Sequence, residues 1–302
     1  MKTLNHLLPP AGVALLLFLP SLLSSQVMTS ELPLMPWPFS VTVQTGSIPI
    51  DGHFTVSVSG PGANDARVEF AVSSLYSRVA RQTGLTILIP DLGLRVISGT
   101  LPTPTFLITV GAALHPSPQR LGDSEKYSLV IADGHITLNA DNPLGVLRGI
   151  ETFLQLIEQN ESTGNVADAG FSVHAVSIQD EPRCPWRGLS LDVSRHFIPV
   201  EGVKRTIDGL AAVKLNVLHW HLSDDQGFRV ESKEYPKLQA LGSDGLFYTH
   251  NQIRDIVSYA ALRGVRVVPE FDMPGHSTSW LPGYPDLASA PGPYQIVRQA
   301  AS

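Results

Sequence analysis

The sequence predicts an α/β chain in two parts: a small α+β region, then the start of a (β/α)8 TIM barrel, incomplete at about its first three strands. Three observations carry this expectation. Beyond Trp186 apolar strands alternate with amphipathic helices, the order that produces parallel pairing through crossover connections. Each of those strands ends in charged and imidazole side chains, as barrel strands do at a catalytic mouth. Before residue 180 strands and two helices mix without any such cluster.

At 302 residues and 43% hydrophobic content, the chain has apolar material for two cores. Its formal charge of -6 offers no basic field for nucleic acid, so a neutral or polar small ligand is the better match. Residues 1–25 read as an export signal, with Lys2, an apolar stretch from Leu7 to Leu23 broken by Pro9, Pro10 and Pro20, then Ser24 and Ser25. That core is too short and Pro-broken for a membrane span, an uncleaved N-terminal anchor being the alternative. Cys184 is the single cysteine, which excludes an intrachain disulfide and a cysteine-based zinc site.

In chain order, Glu31 to Pro38 is a Pro-rich arm leading into a strand at Phe39 to Gln44, and His53 to Val58 alternates again. Val68, Val72, Leu75 and Val79 recur at helical spacing within Asn64 to Thr83, with Gly84 as the stop. Strands are expected at Thr86 to Ile89, Thr105 to Val110, Tyr127 to Ile131 and His135 to Asn139, the last two joined by a hairpin turn at Asp133-Gly134. Asp141 to Gln159 is expected as one helix, capped by Asn142 or Asp141, with Pro143 in its first turn and Leu147, Ile150, Leu154 and Ile157 inward. His53, His135 and His174 are scattered and read as surface or edge residues, and Asn160-Glu161-Ser162 is a chance-prone sequon. Phe171 to Pro185 is expected as a transition. Then come strand Gly188 to Val193, helix Glu201 to Val213, strand Leu215 to Leu222, helix Tyr248 to Leu262 with a Thr249/Gln252 capping box, and strand Val265 to Phe271. The domains are thus 26–180 and 181–302.

The three strand ends hold the chemistry. Asp192, Ser194, Arg195 and His196 follow the first, His219, His221, Asp224 and Asp225 the second, and Glu270, Asp272 and His276 the third. Arg195 is either a structural ion pair or a guanidinium fork for sugar hydroxyls or a carboxylate. Asp224 and Asp225 could cap a turn before Gly227, and His276 could be a plain loop residue. Trp220, between two histidines on a strand, is expected to pack outside the barrel, while Trp280 is left open. The imidazoles of His219 and His221, with Asp224 and Asp272, also allow a metal-dependent barrel hydrolase as an alternative.

WRGLSLDVSRHF, KLNVLHWHLSDDQGFRVES and RGVRVVPEFDMPGHSTSW resemble the signature blocks of β-N-acetylhexosaminidases of glycoside hydrolase family 20, and YSLVIADGHITLNADNPLGVLRGIETFLQL resembles the end of that family's small α+β domain. The resemblance implies an exo-acting, substrate-assisted retaining hydrolase of terminal β-linked N-acetylglucosamine or N-acetylgalactosamine, needing no metal and no cofactor. It implies that Arg195 holds hydroxyls of the terminal sugar, and that Asp224, His276 and Asp272 form a network tuning the catalytic acid. The family's Gly-Gly-Asp-Glu motif, which carries the acetamido-orienting Asp and the acid Glu, is absent from these 302 residues. The catalytic Asp-Glu pair is accordingly expected beyond Ser302, with no catalytic residue in the stretch given. A full barrel takes about 250 residues, so the chain is expected to be truncated, inactive alone and poorly stable through its unpaired strand edges. A non-catalytic sugar-binding remnant is the second reading.

Overall fold

The computed structural model describes residues 32–87, 105–115, 118–160 and 170–297. The expected export signal lies outside these, as do Leu88 and Ile89 of an expected strand and Glu161-Ser162 of the sequon. Ser302, beyond which the catalytic pair is expected, also lies outside the described residues, so the expected barrel segment 181–302 is described only as far as Val297. Thr86 and Ile87 are described and form no strand.

The N-terminal region is an α+β layer pair. Strands β1 (Ser40–Ile50), β2 (Val56–Ser59), β3 (Phe106–Val110), β4 (Tyr127–Ala132), β5 (His135–Ala140), β6 (Ile157–Gln159) and β7 (Phe171–Asp180) form one sheet in the order β1-β7-β4-β5-β3-β2, with β6 also beside β7. The β2–β3 and β3–β5 pairs are parallel and the rest antiparallel. Helices α1 (Ala66–Thr83) and α2 (Pro143–Gln155) bury Val68, Leu75, Val79, Ile150, Phe153 and Leu154 in the same core as Leu129, Ile131, Ile136 and Leu138 of the sheet. Gly84, with φ 70, ends α1 in the left-handed region, where a Cβ is strained. Asp133 and Gly134 both take positive φ, forming the hairpin turn that their sequence signals.

Two expectations are corrected. The helix expected to reach Gln159 ends at Gln155, and Ile157–Gln159 instead pairs with Phe171–Val173 as β6. Nor is Phe171 to Pro185 a mere transition, since β7 fills Phe171–Asp180 between β1 and β4. At the start of α2, the Asn142 side chain accepts from Leu144 N at 2.8 Å and donates to Ser124 O at 2.9 Å. Asn142→Ala is expected to cost about 1 kcal/mol, read as a lower urea midpoint at unchanged m-value.

The second region repeats strand and helix: β8 (Gly188–Asp192), α3 (Val200–Ala212), β9 (Val217–His221), the short hairpin β10 (Ser223–Asp224) and β11 (Gly227–Phe228), α4 (Lys237–Gly242), α5 (His250–Leu262) and β12 (Arg266–Glu270). The sheet order β12-β9-β8 is parallel throughout, leaving β8 and β12 as its edges. Val203, Ile207 and Leu210 of α3 and Ile256 and Ala260 of α5 pack onto Leu218 and Trp220. Trp220 is fully buried against Tyr248, with ring centroids 4.7 Å apart, on the helix side of its strand as expected. The capping box of Thr249 and Gln252 forms at the start of α5.

The regions meet at the N-terminal ends of the parallel strands. Glu125 accepts from Arg148 at 2.5 Å, from Arg187 just before β8 at 2.5 Å, and from Asn216 just before β9 at 2.9 Å. Arg148 also donates to Gly264 O before β12 at 2.6 Å. Lys214, buried with φ 60, donates to Thr152 Oγ1, Tyr127 OH and Asp180 at 2.6, 2.9 and 3.1 Å. Docking therefore occupies the lower ends of the strands and leaves the upper, C-terminal ends free for a site.

Candidate active-site mouth

All three parallel strands deliver a titratable group at their C-terminal ends: Asp192 from β8, His221 from β9 and Glu270 from β12. They lie in register, Asp192 paired with His221 and His221 with Glu270, because parallel neighbours put equivalent positions side by side. The period of a strand places His219 on the same face as His221 and Trp220 on the opposite one.

Arg195 is the outermost member of this set. Its Nη1 lies 2.5 Å from Asp192 Oδ2 and its Nη2 2.6 Å from Asp224 Oδ2. Asp192 Oδ1 meanwhile accepts the backbone N–H groups of Ser194 and Arg195, both at 3.0 Å. The guanidinium is thus fixed at both Nη atoms while 41% of the side chain stays exposed. An arginine held this way can present its remaining N–H groups to hydroxyls with little further ordering cost. It is both of the things its sequence position allowed, an ion-pair member and an open donor.

Asp224 is completely buried, and its carboxylate contacts among the described residues are a guanidinium, two imidazoles and a backbone N–H. Oδ2 faces Arg195 and, at 3.0 Å, His221 Nε2; Oδ1 accepts from Asp225 N at 2.6 Å and lies 3.3 Å from His276 Nδ1. His276 sits in the loop after β12 with φ 53, half exposed, also 3.8 Å from Asp225. Asp272 has a carboxylate oxygen within 4.8 Å of the ligating atoms of His221 and Asp224. The four residues singled out, Arg195, Asp224, His276 and Asp272, are therefore brought together, with Asp224 at their centre.

His221 is clasped by two carboxylates, Glu270 on Nδ1 at 2.8 Å and Asp224 on Nε2 at 3.0 Å. Burial acts to lower its pKa, but the hydrogen bonds of Glu270 and Asp224 and the charges of Glu270 and Asp192 prevail and the net shift is upward. For a raised histidine, the associated stability is fully present below its unfolded value of about 6.5 and is lost as pH rises through the folded value. An NMR titration of the imidazole is expected to give a midpoint above that of a free histidine; a midpoint at or below it contradicts the clasp. Asp192 and Asp225 shift the other way. Desolvation raises both, and is outweighed at Asp192 by the hydrogen bonds of Arg195 and at Asp225 by those of Thr278.

Two triplets have donor atoms mutually within 4.8 Å, His221–Asp224–Asp272 and Asp224–Asp225–His276. His219 belongs to neither among the described residues and instead contacts Glu270 at 2.9 Å. Of the four residues in the metal-dependent alternative, His221, Asp224 and Asp272 form one of these triplets, and His219 stands beside them on Glu270.

Arg229 escaped the sequence reading. Buried, it donates to the carbonyls of Ser194 at 2.7 Å, Ser243 at 2.7 Å and Leu246 at 3.2 Å, tying the loop after β8 to those before α5. Its guanidinium passes so close to Gly227 that an added Cβ there would lie 2.2 Å from it, so a side chain at 227 would have to displace the guanidinium from these carbonyls. The only local signal is a charge between Phe228 and Val230 in an otherwise apolar run. Trp280, left open by the sequence, donates to Ser223 Oγ at 3.2 Å and packs edge-on against Phe228, beside the mouth.

Comparison with known proteins finds two family models in tandem: "Glycosyl hydrolase family 20, domain 2" over residues 31–181 and "Glycosyl hydrolase family 20, catalytic domain" over 184–301. The chain is 35% identical over 276 residues to beta-hexosaminidase subunit A1 of Dictyostelium discoideum, covering 91% of this chain and 48% of that one. With the mouse beta-hexosaminidase subunit beta it shares 46% identity over 169 residues, 55% of this chain and 30% of the relative. Among solved structures, Flavobacterium johnsoniae chitobiase superposes with a TM-score of 0.78 at 41% identity, covering 89% of this chain and 39% of the other. The exo-β-N-acetylglucosaminidase of Vibrio harveyi, solved with N-acetylglucosamine, gives 0.66 at 28% identity over 84% and 38%. The chain spans about half the length, or less, of the curated relatives it matches.

Proposed function

The chain belongs to glycosyl hydrolase family 20, and from that premise we propose that it forms the sugar-holding part of an exo-β-N-acetylhexosaminidase acting on glycans that end in non-reducing β-linked N-acetylglucosamine or N-acetylgalactosamine. The observation that carries the proposal is Arg195, fixed by Asp192 and Asp224 at a mouth made by three parallel strand ends. Arg195 grips hydroxyls of the terminal sugar. Asp224, His276 and Asp272 form the polar network that leads toward the catalytic acid and sets its proton affinity. In substrate-assisted retention the sugar's own acetamido oxygen attacks the anomeric carbon, so the protein needs one carboxyl to orient that group and one to protonate the leaving oxygen. Neither role is assigned to a residue between Met1 and Ser302, a stretch that lacks the Gly-Gly-Asp-Glu sequence. No step calls for a cofactor or metal.

The two family matches support a division into a small domain at 26–180 and the start of the catalytic barrel at 181–302. The Pro-broken apolar leader supports residues 1–25 as a signal and an exported location. No helix among the described residues is long and apolar enough to cross a membrane.

The test uses the 302-residue chain. It is expected to bind N-acetylglucosamine saturably, reported by isothermal titration, without hydrolysing an aryl N-acetyl-β-glucosaminide. Arg195→Ala is expected to weaken that binding about tenfold or more. Turnover by the purified chain, or binding indifferent to Arg195→Ala, would overturn the assignment.

A further inference from the structure

A cavity rich in charged side chains lies at the other end of the barrel strands. It has a volume of about 500 Å³, ample for a monosaccharide-sized molecule, and opens where α1 and α2 of the small domain meet α3 and the end of α5. Asp208 lies near the C-terminal end of α3, which leads to the start of β9, so the cavity is remote from the mouth at the strands' opposite ends.

Its charge is contrary to that of the chain. Four guanidinium groups, from Arg78, Arg81, Arg148 and Arg263, line it against two carboxylates, Glu151 and Asp208, in a protein of net charge -6. Arg78 pairs with Glu151, Arg263 with Asp208 at 2.6 Å, and Arg148 is committed to Glu125. Arg81 has no carboxylate among the described residues; its Nε donates to Ser77 O at 3.4 Å and its two Nη groups carry no such bond. A free guanidinium fork in a concave site suits a planar or tetrahedral oxyanion. The remaining wall suits a polyol: Glu151 and Asp208, which already accept from Arg78 and from Tyr259 and Arg263, keep lone pairs that can accept from hydroxyls, serine side chains of α1 line one side, and Phe70 gives an apolar surface with Arg263 4.4 Å from its ring centre.

We propose that this cleft is a second ligand site, for a sugar-sized polyhydroxylated molecule bearing one oxyanion group held by Arg81. Because the cleft is built from both domains, an occupant stabilises their docking as well as binding.

Isothermal titration of the 302-residue chain with glucose 6-sulfate, glucose 6-phosphate, glucuronate, glucose and inorganic sulfate tests this, and the three acidic sugars show which oxyanion is preferred. At least one acidic sugar is expected to bind about tenfold or more tighter than glucose and to raise the unfolding temperature. Arg81→Gln, at an exposed position outside the core, is expected to remove that advantage, while Arg195→Ala at the mouth leaves it intact. Equal binding of glucose and the acidic sugars, indifference to Arg81→Gln, or loss in Arg195→Ala overturns the proposal; equal binding of inorganic sulfate overturns its saccharide part.

Discussion

Glu125→Ala is expected to lower stability by about 3–5 kcal/mol, the range for removing one partner from a buried ion pair. Glu125 is buried and accepts from two guanidinium groups and the Asn216 amide. Desolvation raises its pKa, but the charges of Arg148 and Arg187 outweigh that and hold it below the usual carboxylate range. Removing it leaves Arg148 buried with only carbonyl partners and frees Arg187 from the small domain. The loss exceeds that of a half-exposed pair such as Lys204–Asp255, where solvent reaches the carboxylate and screens the charge. Chemical denaturation measures the difference, with Glu125→Gln separating charge from shape. A change below about 1 kcal/mol would mean that this network does not hold the domains together.

The second large effect concerns Arg195. Where the chain is completed by a catalytic half, Arg195→Ala is expected to reduce kcat/KM about 100- to 1000-fold, the equivalent of losing one or two charge-assisted hydrogen bonds to sugar. It also leaves Asp224, completely buried, without its guanidinium. Arg195→Lys is expected to recover only part of the loss, since an ammonium cannot reach Asp192, Asp224 and a diol together. A fall in kcat/KM per folded molecule that exceeds any loss of folded protein locates the effect in the site; a loss of activity no larger than the loss of folded protein would make Arg195 merely structural.

The mouth was legible in the sequence because strand ends are local. Asp192, His221 and Glu270 each close an apolar run, and parallel register does the rest. The same holds for α1, whose inward residues and Gly84 stop are written at fixed spacing. Strand β7 was not legible: its core positions Val173, Val176 and Ile178 are spaced three and then two, so the alternation slips within the strand. Nor was the break after Gln155, because Ile157 falls in phase with the helix although it belongs to β6. The domain joint left no local trace at all. Glu125 meets Asn216 across 91 positions and Lys214 meets Tyr127 across 87, and such pairs depend on the folded path alone.

The most direct measurement joins residues 184–297 to the rest of the Flavobacterium johnsoniae chitobiase in place of its matching segment, a graft supported by 41% identity and a TM-score of 0.78. If the strand ends of this chain are the sugar-holding part of a family 20 site, the folded chimera hydrolyses an aryl N-acetyl-β-glucosaminide, and Arg195→Ala lowers its kcat/KM at least about 100-fold. A folded chimera without turnover, or one indifferent to Arg195→Ala, contradicts it.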